Sequence, residues 1–256
     1  MTKIQFHKYQ GTGNDFVMID NRNLSFDKND LSLVTALCDR RFGIGGDGLI
    51  LIEEDETSDF KMVYFNADGT QSLCGNGSRC AVKFAKHLGM VGDQTRFNAF
   101  DGFHTALMRD GLIHIQMHDI KQVENRGDVA YVDTGSPHLI KMVKDLTHFD
   151  VKGEGSRIRY SDSFKAEGVN INVIEKVNGT TSIRTYERGV EDETLSCGTG
   201  CTAVALTLSQ VGEESPITLK AKGGTLQVSF EKEEEGFKNI YLIGPAEQVY
   251  SGTIEI

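Results

Sequence analysis

Two cysteines in this chain keep nearly the same company, Cys74-Gly75-Asn76-Gly77 and Cys197-Gly198-Thr199-Gly200, 123 positions apart in a sequence of 256 residues. Each stands where a run of small residues gives way to helical spacing. Backbone N–H groups and the positive end of a helix dipole should therefore bear on its sulfur. Helix starts lower a thiol from about 8.5 to as little as about 3.5 to 7.5, so a partly ionised thiol is expected at both places. Two such thiols on one substrate could take a proton from one face of a carbon and return one to the other. The glycines would let a ligand come close to the backbone.

Blander roles compete with this one. A free cysteine often serves as a small buried hydrophobe, but glycine at the next position and again two further on is poor helix material unless the backbone itself is used. Zinc favours C-x2-C pairs, whereas this chain offers Cys74-x5-Cys80 and Cys197-x3-Cys201, so no metal is expected. An odd count of five cysteines argues against a disulfide framework. The segment Met1-Thr2-Lys3-Ile4-Gln5-Phe6-His7-Lys8 lacks the apolar core of a signal peptide. Cys38, Cys80 and Cys201 read as core or helix-face residues. A redox-sensing or metal-binding protein using Cys74 and Cys197 stays open as an alternative, which stoichiometric zinc in the purified protein would favour.

The elements that must position the thiols also repeat. The same slide brings Tyr64-Phe65-Asn66-Ala67-Asp68-Gly69 roughly opposite Thr185-Tyr186-Glu187-Arg188-Gly189, and Ala81 to Gly89 opposite Val204 to Gly212. The chain reads as a duplication with one cysteine in each half. In the first half, Ile4–Tyr9 and Phe16–Asp20 flank a glycine-rich turn, a helix is expected over Asp30–Arg41, and Leu49–Glu53 and Phe60–Phe65 read as buried strands. The Cys74 helix runs to Leu88 and stops at Gly89. Asp110-Gly111 makes a hairpin of Thr105–Arg109 and Leu112–Met117.

The second half is expected to open with a helix from Pro137 carrying Leu139, Ile140, Val143 and Leu146. Asn178-Gly179 then joins strands Ile171–Val177 and Thr181–Glu187. The Cys197 helix ends near Val211, and strands follow at Ile217–Ala221, Thr225–Phe230 and Asn239–Ile243 before a C-terminal segment Gln248–Ile256. Gly43-Ile44-Gly45-Gly46-Asp47-Gly48 fits G-x-G-x-x-G, but it lies in the order helix, loop, strand. A dinucleotide fingerprint needs the reverse, so these glycines read as a turn lining a pocket.

Many strands and few helices in two equal halves give an α+β fold. It has two pseudo-symmetric domains, each a curved, mostly antiparallel sheet wrapped around a central helix. Residues 1–118 with 245–256 would form the half carrying Cys74, and 119–244 the half carrying Cys197. At 39% hydrophobic and 25% charged the composition is that of a soluble globular chain, and no run approaches a membrane span. A net charge of −10 argues against a nucleic-acid partner. The acidic run Glu231 to Glu235 reads as a solvated hairpin tip.

A two-thiol site needs groups to hold its substrate. Asn66 and Asp68 precede Cys74, and Glu187 and Arg188 precede Cys197. Asn14, Asn170, Asn172 and Ser136-Pro137-His138 are further candidates, although single residues of these types more often cap turns.

The segments Gly13-Asn14-Asp15-Phe16, Asn66-Ala67-Asp68-Gly69, Cys74-Gly75-Asn76-Gly77-Ser78-Arg79-Cys80, Gly135-Ser136-Pro137-His138, Glu187-Arg188-Gly189 and Cys197-Gly198-Thr199-Gly200 closely resemble the diaminopimelate epimerase family, in order and over nearly the whole chain. The resemblance implies an epimerase without cofactor that interconverts LL- and meso-2,6-diaminopimelate for lysine and peptidoglycan synthesis. It also implies a cytoplasmic protein, a small-molecule partner only, no membrane association, a homodimer, and a C-terminal strand that rejoins the first domain. Cys74 and Cys197 would be the acid–base pair. Amides of Gly75, Asn76, Gly198 and Thr199 would hold the carboxylate beside the reacting carbon. Asn14, Asn66, Asn170, Glu187 and Arg188 would bind substrate, with Ser136 and His138 auxiliary. Two departures stand out: Ser136 where many members carry asparagine, and Gly48 where some carry glutamine. An epimerase or racemase of another amino acid, such as proline or hydroxyproline, remains the enzymatic alternative.

Overall fold

The computed structural model describes residues 3–255. Met1 and Thr2 of the N-terminal segment and Ile256 of the C-terminal one lie outside the described residues. The chain forms two compact units, Met1–Ile115 with Gly244–Ile256, and Gln116–Ile243.

The first unit contains β1 (Lys3–Gly11), β2 (Asn14–Asp20), α1 (Leu31–Cys38), β3 (Gly48–Glu53), β4 (Phe60–Asn66), α2 (Gly75–His87), β5 (Gln94–Ala99), β6 (Gly102–Arg109) and β7 (Leu112–Gln116). Strands β2 and β3 pair in parallel, as do β4 and β5, and the other neighbours are antiparallel. Every residue of β3 is buried, because the sheet is covered on both faces. Val17, Ile19, Leu49 and Leu51 pack with Val34 and Leu37 of α1. On the other face, Phe16 and Ile50 lie against Gly77 of α2. Asp30 caps α1 by accepting from the Leu33 amide at 3.0 Å, a contribution of about 1 kcal/mol. In the β6–β7 hairpin, Asp110 and Gly111 take φ of 51° and 79°, the pair of positive values a two-residue type I′ turn requires.

The second unit contains β8 (Glu124–Arg126), β9 (Val129–Asp133), β10 (Pro137–Met142), α3 (Val151–Arg159), β11 (Asn170–Val177), β12 (Thr180–Glu187), β13 (Asp192–Thr194), α4 (Gly198–Gln210), β14 (Ile217–Ala221), β15 (Gly224–Glu233) and β16 (Gly236–Gly244). Strand β17 (Glu247–Glu255) returns to the first unit and pairs antiparallel with β1. With the three-residue strands β8 and β13 set aside, the order strand, strand, helix, strand, strand, helix, then three strands is common to both units, and so is the sequence of pairings along it. β10·β11 and β12·β14 are parallel, like β2·β3 and β4·β5.

The segment from Pro137 is a strand, not the expected helix. Its apolar residues fit a helical template, but the pleat sends Leu139 to the cluster under α3 and Ile140 to the cluster around α4. A strand covered on both faces has no polar stripe to betray its period. The helix comes later, as α3, capped by Asp150 on the Gly153 amide at 2.9 Å. Helix α4 is buried on nearly every side, with ten of its thirteen residues inside, as befits a helix enclosed by a curved sheet. Among the described residues no helix is long and apolar enough to cross a membrane.

Candidate active site

Cys74 and Cys197 are the N-cap residues of α2 and α4, with near-equal extended backbones of φ −129°, ψ 115° and φ −120°, ψ 113°. The first helical hydrogen bonds run from the Ser78 amide to the Cys74 carbonyl at 2.7 Å and from the Cys201 amide to the Cys197 carbonyl at 2.9 Å. The amides of Gly75, Asn76, Gly198 and Thr199 therefore fall in the first turns, ahead of those bonds, where the dipole favours an anion. The structure also gives the glycines a packing reason. A Cβ at Gly200 would lie 2.3 Å from Asn172 Oδ1, and one at Gly198 would lie 2.6 Å from Leu242 Cδ2.

Around Cys74 the supports are amides backed by charges. The half-buried sulfur accepts from the Gly77 amide at 3.5 Å. The buried Asn76 donates to Asn14 Oδ1 at 2.5 Å, and Asn14 donates to Asp47 Oδ2 at 2.9 Å. Asp47 accepts from Arg40 at 2.7 Å, and Arg40 also grips Asp15 at 2.6 and 3.0 Å. The buried Lys8 bonds Asp15 at 2.7 Å and the Gly45 carbonyl. Burial pushes Asp15 up, but the bonds and charges of Arg40 and Lys8 outweigh it and hold the carboxyl at about 2. Asn66 accepts from Tyr64 Oη at 2.8 Å and donates to Thr70 at 3.0 Å, which shapes the loop into α2. Asp68 accepts from the Thr70 amide at 2.9 Å and is a turn residue.

Arg79 and Asp47 were not singled out by sequence. Arg79 is wholly buried and reaches Asn76 Oδ1 at 2.8 Å, Thr12 at 2.9 Å and the Pro245 carbonyl at 3.2 Å, which ties the start of α2 to the chain near β17. Its only mark in the sequence is an arginine set among small residues. Asp47 sits in the glycine loop set aside as a turn. Next to it, Gly48 explains one departure: an added Cβ would meet the Phe65 carbonyl at 2.4 Å and the Tyr64 ring at 2.5 Å, so that space is already filled.

Around Cys197 the supports are neutral. Cys197 is 6% exposed, and its sulfur lies 3.4 Å from Thr199 Oγ1. Asn170, buried, donates to Ser136 Oγ at 3.3 Å and to the Pro137 carbonyl at 3.1 Å, and accepts from the Arg188 amide at 2.8 Å. Arg188 itself is exposed and donates to the Glu167 carbonyl at 2.8 Å. His138 is fully buried between Ser136 at 3.0 Å and Asn172 at 3.1 Å. Burial, aided by the charge of Arg188, pushes its imidazole down to about 3, so it is neutral at physiological pH. Burial likewise raises Glu187.

The expectation of a lowered thiol fails at Cys197. Burial pushes it well above the ordinary thiol value and the Glu187 charge adds to that. The Thr199 hydroxyl and the Gly200 amide act in the opposite direction, but the sulfur makes no side-chain cap bond to the helix. Removal from water outweighs the helix end, and Cys197 is a neutral thiol in this conformation. Cys38, Cys80 and Cys201 are buried and take part in no disulfide among the described residues. Burial raises Cys38 to about 11 and Cys80 to about 12, which leaves both unreactive.

The family model described as diaminopimelate epimerase matches residues 6–132 and again 130–249, once in each half of the duplication. The diaminopimelate epimerase of Flavobacterium psychrophilum is 51% identical over 98% of this chain and all of that protein. The one from Chlorobaculum tepidum is 44% identical over 96% of this chain and 99% of its own. Among solved structures, a Bacillus anthracis phenazine biosynthesis protein of the PhzF family superposes with TM-score 0.76 at 14% identity, covering both chains fully. A hydroxyproline epimerase from Agrobacterium vitis gives 0.64 at 14% identity, covering 98% of this chain and 92% of that one. At such identities these two speak for the fold alone. Matched by its family model over both halves, this chain belongs to the diaminopimelate epimerase family.

Proposed function

We propose that this protein interconverts LL- and meso-2,6-diaminopimelate without an organic cofactor, with Cys74 and Cys197 as the acid–base pair. The observation that carries the reading is the placement of one cysteine at the same cap position of the same helix in each copy of a repeated order of elements. The α-hydrogen leaves as a proton to the thiolate of one cysteine. The other thiol then gives its proton to the opposite face of the carbon, and the reverse reaction exchanges the roles. The carbon is only weakly acidic because its carboxylate is already charged, so the helix-start amides of Gly75, Asn76, Gly198 and Thr199 stabilise the charge that builds there. Matched acid and base contribute about 10²- to 10⁴-fold, and positioning and electrostatics supply the rest.

Asn14, Asn66, Asn170, Glu187 and Arg188 bind the substrate's polar ends in this reading. Cytoplasmic location and a homodimer follow from family membership alone. The test is turnover of LL-diaminopimelate in deuterated water with no added cofactor, beside a panel of other amino acids. Early in the reaction, label should enter product and scarcely enter recovered substrate. Equal early labelling of both would rule out two separate bases, and preference for proline or hydroxyproline would move the assignment to that chemistry.

A further inference from the structure

The side chains behind Cys197 form a hydrogen-bond chain whose direction is fixed at both ends. Asn172 donates to the Leu139 carbonyl at 3.3 Å and accepts from Thr185 at 3.0 Å, so its amide faces His138 Nδ1 with an N–H. Nδ1 is then an acceptor, and the neutral imidazole carries its hydrogen on Nε2, aimed at Ser136 Oγ 3.0 Å away. Asn170 also donates to Ser136 Oγ, its own orientation set by the Arg188 amide and the Pro137 carbonyl. Ser136 Oγ thus receives two hydrogens, and its own hydroxyl hydrogen must point outward, where Thr199 Oγ1 lies 3.4 Å away. Thr199 receives that hydrogen and turns its own toward Cys197 Sγ, also at 3.4 Å.

We propose that Ser136 is a positioning residue for Cys197: it takes the His138 hydrogen, passes its own to Thr199, and so holds the Thr199 hydroxyl on the sulfur as a donor that supports the thiolate. The Ser136–Thr199 step is long for a hydroxyl pair, so the effect is one of orientation and is modest. The titratable groups acting on the sulfur are Glu187 and Cys201, both of which raise it, and Arg188 acts on the imidazole.

The inference rests on the acid–base role proposed for Cys197, but its test needs no turnover. In a Cys74→Ala background, the pH dependence of iodoacetamide labelling at Cys197, located by mass spectrometry, gives the apparent pKa of that thiol. Ser136→Ala should raise it by about half a unit to one unit, and Thr199→Val by at least as much. Ser136→Thr, which keeps the hydroxyl, should titrate like the parent. Ser136→Cys keeps the shape with a poor donor and should move with Ser136→Ala, which preserves the reading if the alanine protein does not fold. An unchanged titration in Ser136→Ala or Ser136→Cys, or a shift in Ser136→Thr as large as theirs, overturns the proposal. Failure of the acid–base role would show instead as retained turnover in Cys197→Ala.

Discussion

Asp15 and His138 stand 123 positions apart, as Cys74 and Cys197 do, and each is the second residue of an equivalent strand, β2 or β10. In the first unit that position carries a carboxylate clasped by Lys8 and Arg40, and the network reaches the start of α2 through Asp47, Asn14 and Asn76. In the second it carries a buried neutral imidazole, and the network reaches α4 through hydroxyls. The backbone was copied and the polar support was rebuilt. A half-exposed thiol on a charge-backed amide chain faces different electrostatics from a buried thiol on a neutral chain. Equivalence by repeat therefore does not give the two sulfurs equal surroundings.

The strongest way to break that comparison is to remove each sulfur. Cys74→Ala and Cys197→Ala should each lower epimerisation by about 10³-fold or more, because a lone thiol can neither deprotonate and reprotonate from opposite faces nor be replaced by water. Circular dichroism of both should match the parent. Near-parental turnover by either would remove that cysteine from the pair. Iodoacetamide should modify Cys74 ahead of Cys197, which is 6% exposed, and the reverse order would contradict the contrast in access.

The glycines of the two first turns differ in a second measurable way. At Gly77 an added Cβ meets the flexible Ile50 Cδ1 at 3.2 Å and makes ordinary contact with Cys74 Cβ and Phe16 Cε1 at 3.5 Å, whereas at Gly200 it meets Asn172 Oδ1 at 2.3 Å. Asn172 is held by three bonds and cannot retreat without releasing His138. Gly77→Ala should be near neutral, since helix propensity returns up to about 1 kcal/mol. Gly200→Ala should cost about 1–3 kcal/mol, lowering Tm by several degrees. Equal melting temperatures for the two would deny that the second turn is the tighter one.

Sequence patterning revealed the duplication, both cysteine-capped helix starts and both Asn-Gly or Asp-Gly hairpins, since each rests on local spacing or on residues that tolerate positive φ. It misread Pro137–Met142, where a strand buried on both faces offers the same run of apolar residues as a helix. The duplication held the missing clue: the 123-residue offset lays Pro137 onto Asn14, the first residue of β2. The acidity of Cys197 was out of reach for a different reason. Helix position is local and readable, but burial beside Glu187 comes from a strand ten residues away folding against it, and desolvation outweighs the dipole. Asp47 and Arg79 escaped because a positioning residue is defined by what it touches, not by its neighbours in sequence.

The last expected effect separates the two networks by pH. His138 is depressed from 6.5 to about 3 by burial, and Asp15 from 3.8 to about 2 by Arg40 and Lys8 against the pull of burial. Both folded values lie below the unfolded ones, so each group's contribution is present above its unfolded pKa and is lost as pH falls toward its folded pKa. The windows differ. Loss through His138 starts below 6.5 and grows to a few kcal/mol near pH 3, because an imidazolium cannot be solvated there. Loss through Asp15 starts only below 3.8 and is smaller, since its carboxylate keeps some contact with water. Urea midpoints taken from neutral pH downward should therefore fall less steeply for His138→Gln than for the parent between about pH 6 and pH 4. Asp15→Asn should parallel the parent there and diverge only at lower pH. A parental slope in His138→Gln over that interval would mean that the second network is not the acid-sensitive one, and the contrast between a charged and a neutral support would lose its thermodynamic consequence.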